Sequence, residues 1–425
     1  MILTNILKKK NKKTAVLNLL LFIVGLSIPF SYAFNSIAIG SLFLYSFIWF
    51  EKGNYSFSWV TNRFQIHLLF LIYFSLQFIG VFYSENLSLG FSFLIQNIVF
   101  LILPLTFINL SKILDYEKVK FGIYGMVIGV HIILFSIHIN ILFQIFSQNL
   151  GFESLIYYFV RLNFVQAGLV EIHPPYFGLM VVFSLLVILN TTFYKDITLN
   201  GIVKYSLSTY LLVSLYGISS FMSIVLVFLL FIIYLFFLVK KKKTKVLISI
   251  LLSILIVIIT IGTLKNTNLI NKFPGESLLG RIEWSFVKGK GDTSRPENWR
   301  SVLIVVKEHP LIGVGTYGGL NYLQENRNKT SESFKNGHNA HNQYLETLLR
   351  HGIIGLFVYL FIIYKLILSA IKSRNFIFCG FVFIFIVASI TESYLVRQIG
   401  LTFFTFYALL FSTFYNFGYN KKNAQ

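Results

Sequence analysis

The sequence predicts an all-α integral membrane protein of about twelve transmembrane helices with one large polar loop, and three observations carry that expectation. Of its 425 residues, 56% are hydrophobic and only 12% are charged, far too little polar surface for a water-soluble domain. Charge-free stretches near 20 residues recur along the chain, which is the length a helix needs to cross the hydrocarbon layer. Finally, lysine and arginine cluster at alternate ends of these stretches, as cytoplasmic ends do.

In chain order the expected spans are 14 to 32, 34 to 50, 66 to 84, 91 to 110, 120 to 146, 174 to 193, 204 to 219, 221 to 239, 246 to 263, 352 to 371, 375 to 393 and 398 to 417. The division between the seventh and eighth rests on Ser219 and Ser220, which must turn the chain inside an apolar run from Tyr210 to Val239. With Lys8 to Lys13 taken as inside, the inside segments hold Lys52 and Arg63, then Lys112, Lys118 and Lys120, then Lys195 and Lys204, then Lys240 to Lys245. Lys365, Lys372 and Arg374 follow, and Lys421 and Lys422 end the series, so both termini are expected in the cytoplasm.

The chain starts with a basic, then apolar run, but no small-residue cleavage site follows Ile28 and Pro29, and an uncleaved first span is expected. The net charge of +20 sits mostly at cytoplasmic ends, so no nucleic-acid partner is implied and the lipid bilayer is the expected surrounding. A single cysteine, Cys379, provides neither a disulfide framework nor a thiolate metal site.

Three regions follow: a bundle of about nine spans over 1–263, a polar loop over 264–351, and the last spans with a tail over 352–425. The loop is 88 residues long, far beyond what joining two helices requires. It carries twelve Lys/Arg and eight Asp/Glu, a balance that suits either an anionic ligand or a solvated surface. The spans are read as almost free of ionisable groups, with His131 and His138 of the fifth as the exceptions, which argues against a coupled transporter.

Within the loop, Thr293 and Ser294 supply capping side chains, Pro296 suits a first turn, and Trp299, Val302, Leu303 and Val306 mark an amphipathic helix ending at His309 and Pro310. Arg295 stands one turn before Trp299, and Arg300 follows. Gly313, Gly315, Gly318 and Gly319 then allow close backbone approach to a ligand or a neighbouring helix. Gly313, Gly315 and Gly318 spell G-x-G-x-x-G, but no strand leads into it and no dinucleotide site is expected. A second helix is expected to begin near Ala340 and run into the tenth span. The run from His338 to Glu346, with His341, Asn342 and Tyr344, suits general acid–base work beside orienting amides, or equally a polar helix cap. The two histidines lack the further ligands of a zinc shell.

These pieces carry a resemblance. Arg295-x-x-x-Trp299, His309-Pro310-Leu311-Ile312-Gly313-Val314-Gly315, Ala340-His341-Asn342-x-Tyr344-Leu345 and Gly352-Ile353-Ile354-Gly355-Leu356 resemble, in order and spacing, the O-antigen ligase and polymerase superfamily of bacterial envelopes. The resemblance implies a GT-C-like, metal-independent glycosyltransferase without a cofactor in the inner membrane, its long loop periplasmic. The donor it implies is a glycan on undecaprenyl diphosphate, and the acceptor lipid A–core or another glycan. By the same likeness His341 is the catalytic base and Arg295 a ligand of the diphosphate, an assignment that suits a bidentate guanidinium. Trp299, Arg300, His338, Asn342, Tyr344, Gly313, Gly315, Arg161 and Arg397 are further substrate-binding candidates, with Arg281 and His173 also facing that side. One departure stands out: where the family commonly has Ser followed by Arg-Gly in a middle span, this chain reads Gly217-Ile218-Ser219-Ser220-Phe221-Met222. Either another cation, with Arg161 the candidate, takes its place, or this member grips its lipid differently.

Overall fold

Inside a bilayer a backbone has no water to bond, so apolar runs of this length satisfy their own N–H and C=O groups as helices. The computed structural model describes residues 12–49, 64–149, 173–190, 200–218, 220–238 and 294–418, and no strand occurs among them. Its helices are α1 (Lys12–Ser27), α2 (Tyr32–Ser46), α3 (Gln65–Val81), α4 (Leu87–Gln96), α5 (Val99–Leu110), α6 (Tyr116–Ser147), α7 (Pro174–Leu189), α8 (Gly201–Ile218) and α9 (Phe221–Leu238). The remainder are α10 (Ser294–Glu308), α11 (Leu320–Glu325), α12 (Glu332–Lys335), α13 (Gln343–Ser373), α14 (Phe376–Ala388) and α15 (Gln398–Thr413).

Among the described residues five stretches are long and apolar enough to cross a membrane: Tyr32–Trp49, Leu87–Leu110, Tyr116–Ser147, Gln343–Ser373 and Gln398–Asn416. Shorter apolar helices occupy Gln65–Val81, Pro174–Leu189, Phe221–Ile233 and Phe376–Ala388. The expected span at 246 to 263, and the sites expected at Arg161 and Arg281, lie outside the described residues. The helix does break between Ile218 and Phe221, where the sequence requires a turn. The expected fourth span falls within Leu87–Leu110, where the side chain of Asn86 caps α4 at Leu89 and the helix is interrupted at Asn97.

The chain divides into two units, one of residues 1–131 and 294–425 and the other of 132–293. In the first, α3 packs against α5 and α13, and α15 against α5. In the stretch containing α15, 83% of the residues are buried, so this helix is the core rather than a lipid-facing wall. Phe404 stacks on Phe385 at 4.0 Å, and Tyr407 donates to the Gly122 carbonyl at 2.9 Å. Glycines let α1 and α6 touch: a Cβ on Gly125 would sit 2.1 Å from the Phe22 carbonyl. In the second unit, α7 packs against α8 and α9, and Tyr210 lies 3.1 Å from Nδ1 of His138.

The polar segment from 294 to 342 has a small core of Val302, Val305, Val314, Leu323 and Ala340, completed by Leu349 of α13. Each fully buried valine contributes about 1.5 kcal/mol or more. The buried stripe of α10 differs from the expected one: Leu303 is exposed and Val305 is buried. Trp299 Nε1 donates to the Ala340 carbonyl at 3.1 Å and Ser301 Oγ lies 3.2 Å from the Asn326 carbonyl, which rotates α10 so that Val302 and Val305 face inward.

Candidate active site

The segment after α10 is built into a break in α13. Gly352 has φ +60 and ψ −162, conformations open to glycine and strained for other residues, and the helical hydrogen bonds stop there. Four groups are freed by the break and all are taken by Pro310 to Gly315. Val314 and Gly315 donate to the carbonyls of Leu349 and Arg350, each at 3.0 Å, while Ile353 and Ile354 donate to the carbonyls of Pro310 and Leu311 at 2.9 and 3.2 Å. A Cβ on Gly313 would stand 2.5 Å from the backbone of Arg350, and one on Gly352 would stand 2.3 Å from Leu311. The next residue, Thr316, donates its N–H to the Gly80 carbonyl at 3.1 Å and its hydroxyl to the Gln77 carbonyl, fixing the segment to the end of α3. The two glycine motifs are thus one joint, with Gly313 and Gly315 facing backbone.

About two and a half turns earlier the same helix starts at Gln343, three residues beyond the expected Ala340, because Asn342 is the cap. Its side chain accepts from the N–H groups of Tyr344 and Leu345 at 2.9 and 3.1 Å. Glu346 reaches back to accept from Ala340 N–H at 3.0 Å and pairs with Arg350 at 2.7 Å. Arg350 also donates to the Thr316 carbonyl and lies 4.2 Å over the ring of Phe93. Between Asn339 and Asn342 the chain makes a tight left-handed turn, with His341 at φ +45, a rare conformation for a residue with a side chain. The Asn339 side chain holds it by accepting from His341 N–H at 2.9 Å.

That turn presents the imidazole to Glu392. Nδ1 of His341 lies 3.2 Å from Oε1 and 3.4 Å from Oε2 of the carboxylate. Against a carboxylate acceptor the favoured tautomer has its proton on Nδ1, which leaves the lone pair on Nε2. The Glu392 side chain is 6% exposed and that of His341 24%, so the carboxylate is enclosed while the ring retains an open edge. Glu392 follows α14 in the turn Thr391-Glu392-Ser393, and Ser393 accepts from Asn342 N–H at 3.1 Å, locking the two turns together. Gln343 adds two bonds to the same connection, to Ser389 and Leu395. Glu392 corrects the reading that His131 and His138 alone are ionisable in the spans, because it falls within the expected span 375–393. The helix ends at Ala388, which leaves the carboxylate in a connection. A lone carboxylate in an otherwise apolar stretch was the signal for it.

Several of the other candidates belong to the same unit as this pair. The His338 ring meets the His341 ring edge-on at 5.2 Å. Trp299 anchors α10 to Ala340, the residue before His341. Arg295 is one turn earlier on α10, close enough to act on Tyr394. Burial pushes the Tyr394 phenol well above its ordinary pKa and Glu392 adds to this, whereas Arg295 opposes it, so the phenol stays neutral between a cation and an anion. Arg300 lies about 140° around α10 from Arg295 and is exposed. Arg397 is also exposed, at the start of α15. Tyr344 braces α13 on α14 by donating to the Ile386 carbonyl at 2.9 Å. Further along α13, Gln343, Glu346, Arg350 and His351 line a small pocket with Gln77 and Asn97. His173 precedes α7 with Pro174 and Pro175 in its first turn.

An uncharacterized protein of Haemophilus influenzae is 31% identical over 84 residues, which is 19% of this chain and 21% of that protein. The match therefore spans about a fifth of that relative's length. Residues 207–360 match the family model described as O-antigen ligase, a stretch that takes in α10, the glycine joint, His341 and the break at Gly352. Residues 207–360 of this helical chain are therefore similar to the O-antigen ligase superfamily.

Proposed function

We propose that this chain transfers a glycan from undecaprenyl diphosphate to a sugar hydroxyl of lipid A–core at the periplasmic face of the bacterial inner membrane, with both termini cytoplasmic. The observation that carries the reading is the His341–Glu392 pair: a half-open imidazole whose Nδ1 is held by an enclosed carboxylate. Nε2 is then the base. As the acceptor oxygen attacks the anomeric carbon, its proton passes to Nε2, and the bond from that carbon to the diphosphate oxygen breaks with its electron pair leaving on undecaprenyl diphosphate. Glu392 stabilises the imidazolium that forms, as carboxylates do for catalytic histidines generally. Arg295 receives the diphosphate, whose negative charge grows as the bond breaks, with a guanidinium suited to bidentate phosphate contact.

The test is a deletion strain whose lipopolysaccharide is resolved by gel. Loss of long chains from core, with glycan accumulating on the lipid carrier, supports the ligase. Core bearing a single repeat would instead assign polymerisation, the same chemistry with a carrier-linked acceptor. An unchanged ladder in both respects contradicts the proposal.

A further inference from the structure

The Asn326–Asn328 turn, which the sequence did not mark, touches both halves of the candidate site. Glu297 of α10 accepts from Asn328 N–H at 2.9 Å, and Ser301 of the same helix lies at the Asn326 carbonyl. Between them Arg327 points inward, only 5% exposed. Its guanidinium donates to the His338 carbonyl at 2.7 Å and to the Ser333 carbonyl at 3.3 Å, and His338 N–H itself donates to Ser333 at 3.1 Å. Burial lowers the Arg327 pKa while Glu297 and Glu346 pull it back up. Glu346 is also the residue that holds Ala340 N–H, so Arg327 lies in the field of a carboxylate bonded to the backbone directly before His341.

A buried guanidinium spent on two loop carbonyls is costly for stability alone, since desolvating it is offset only by bonds of good geometry. We propose that Arg327 is a positioning residue that fixes the His338–His341 segment against the Arg295-bearing start of α10. This rests on the glycan-transfer reading above for its kinetic consequence, though not for its structural one. Substitution frees the His338 carbonyl and with it the turn that aims His341, while α10 keeps its own tie to Ala340 through Trp299.

Two measurements on the full-length protein in nanodiscs test this, using Arg327→Ala and Arg327→Lys. Amide hydrogen exchange in peptides covering residues 333–342 is expected to accelerate about tenfold or more in Arg327→Ala, with α3 and α15 unchanged, because two charge-assisted hydrogen bonds from Arg327 restrain that segment. In transfer assays with an undecaprenyl-diphosphate-linked oligosaccharide, kcat should fall about tenfold or more while the donor KM holds, Arg327→Lys should recover part of the loss, and added guanidinium ion should partly restore Arg327→Ala. Unchanged exchange in 333–342, acceleration spread over all helices, or turnover equal to wild type overturns the proposal. A wild-type protein that transfers nothing sinks the activity reading, and the exchange pattern alone then decides the role of Arg327.

Discussion

Nδ1 of His341 lies 3.2 Å from the carboxylate of Glu392, 51 residues away in the chain, and two locked turns make that meeting possible. Asn342 caps α13 and donates to Ser393, so the position of the imidazole is set by backbone on both sides. The consequence is a ring with a fixed orientation and one open nitrogen.

Glu392→Gln keeps an oxygen near Nδ1 but removes the charge that stabilises the imidazolium. Turnover in a reconstituted transfer assay should fall about 10²-fold or more, with the protein still inserted and folded. Turnover within twofold of wild type would assign Glu392 a purely structural role.

Arg295→Ala should act on the donor. Removal of a guanidinium from a phosphate site raises the KM for the diphosphate-linked glycan and lowers kcat, together by about 10²-fold in kcat/KM. Arg300→Ala, on the far side of α10, should leave both within about twofold. Equal effects from the two arginines would contradict the placement of the diphosphate.

Gly352→Ala tests the joint. Alanine there is strained at φ +60 and its Cβ would meet the Leu311 backbone at 2.3 Å, so the variant should lose about 2 kcal/mol or more of stability, read as a lower melting temperature in detergent. Gly355→Ala is no control, since its Cβ would meet His351. Gly40, with open space around it, is the suitable one, and Gly40→Ala should melt as wild type does.

Trp299→Phe removes the indole bond to Ala340 and should cost about 1 kcal/mol, again by thermal melting. An unchanged melting temperature would show that packing alone orients α10.

Much of this was legible in the sequence, because helix length and charge placement follow from the bilayer and are local properties. The end of one helix at Ile218 and the start of the next at Phe221, the helix after Thr293 and the role of His338 to Tyr344 as a helix start could all be read from neighbouring residues. What was not legible joins distant parts. Glu392 stood out as a lone carboxylate in an apolar run but its meeting with His341, 51 residues away, did not, Arg327 carries no periodic or motif signal, and the splice of Leu311 to Gly315 into the break at Gly352 depends on hydrogen bonds between segments some 40 residues apart. The glycines were marked for close approach to a ligand or a neighbouring helix, and the structure places Gly313 against the backbone of α13. Leu303 was assigned to the buried face by spacing alone, but the bonds of Trp299 and Ser301 set the rotation of α10 instead.

The most direct measurement is glycan transfer by His341→Ala in proteoliposomes, with an undecaprenyl-diphosphate-linked glycan as donor and lipid A–core as acceptor, after gel filtration has shown the variant folded. Loss of the base should lower turnover by about 10²- to 10⁴-fold while donor binding persists. Transfer at the wild-type rate would contradict the account.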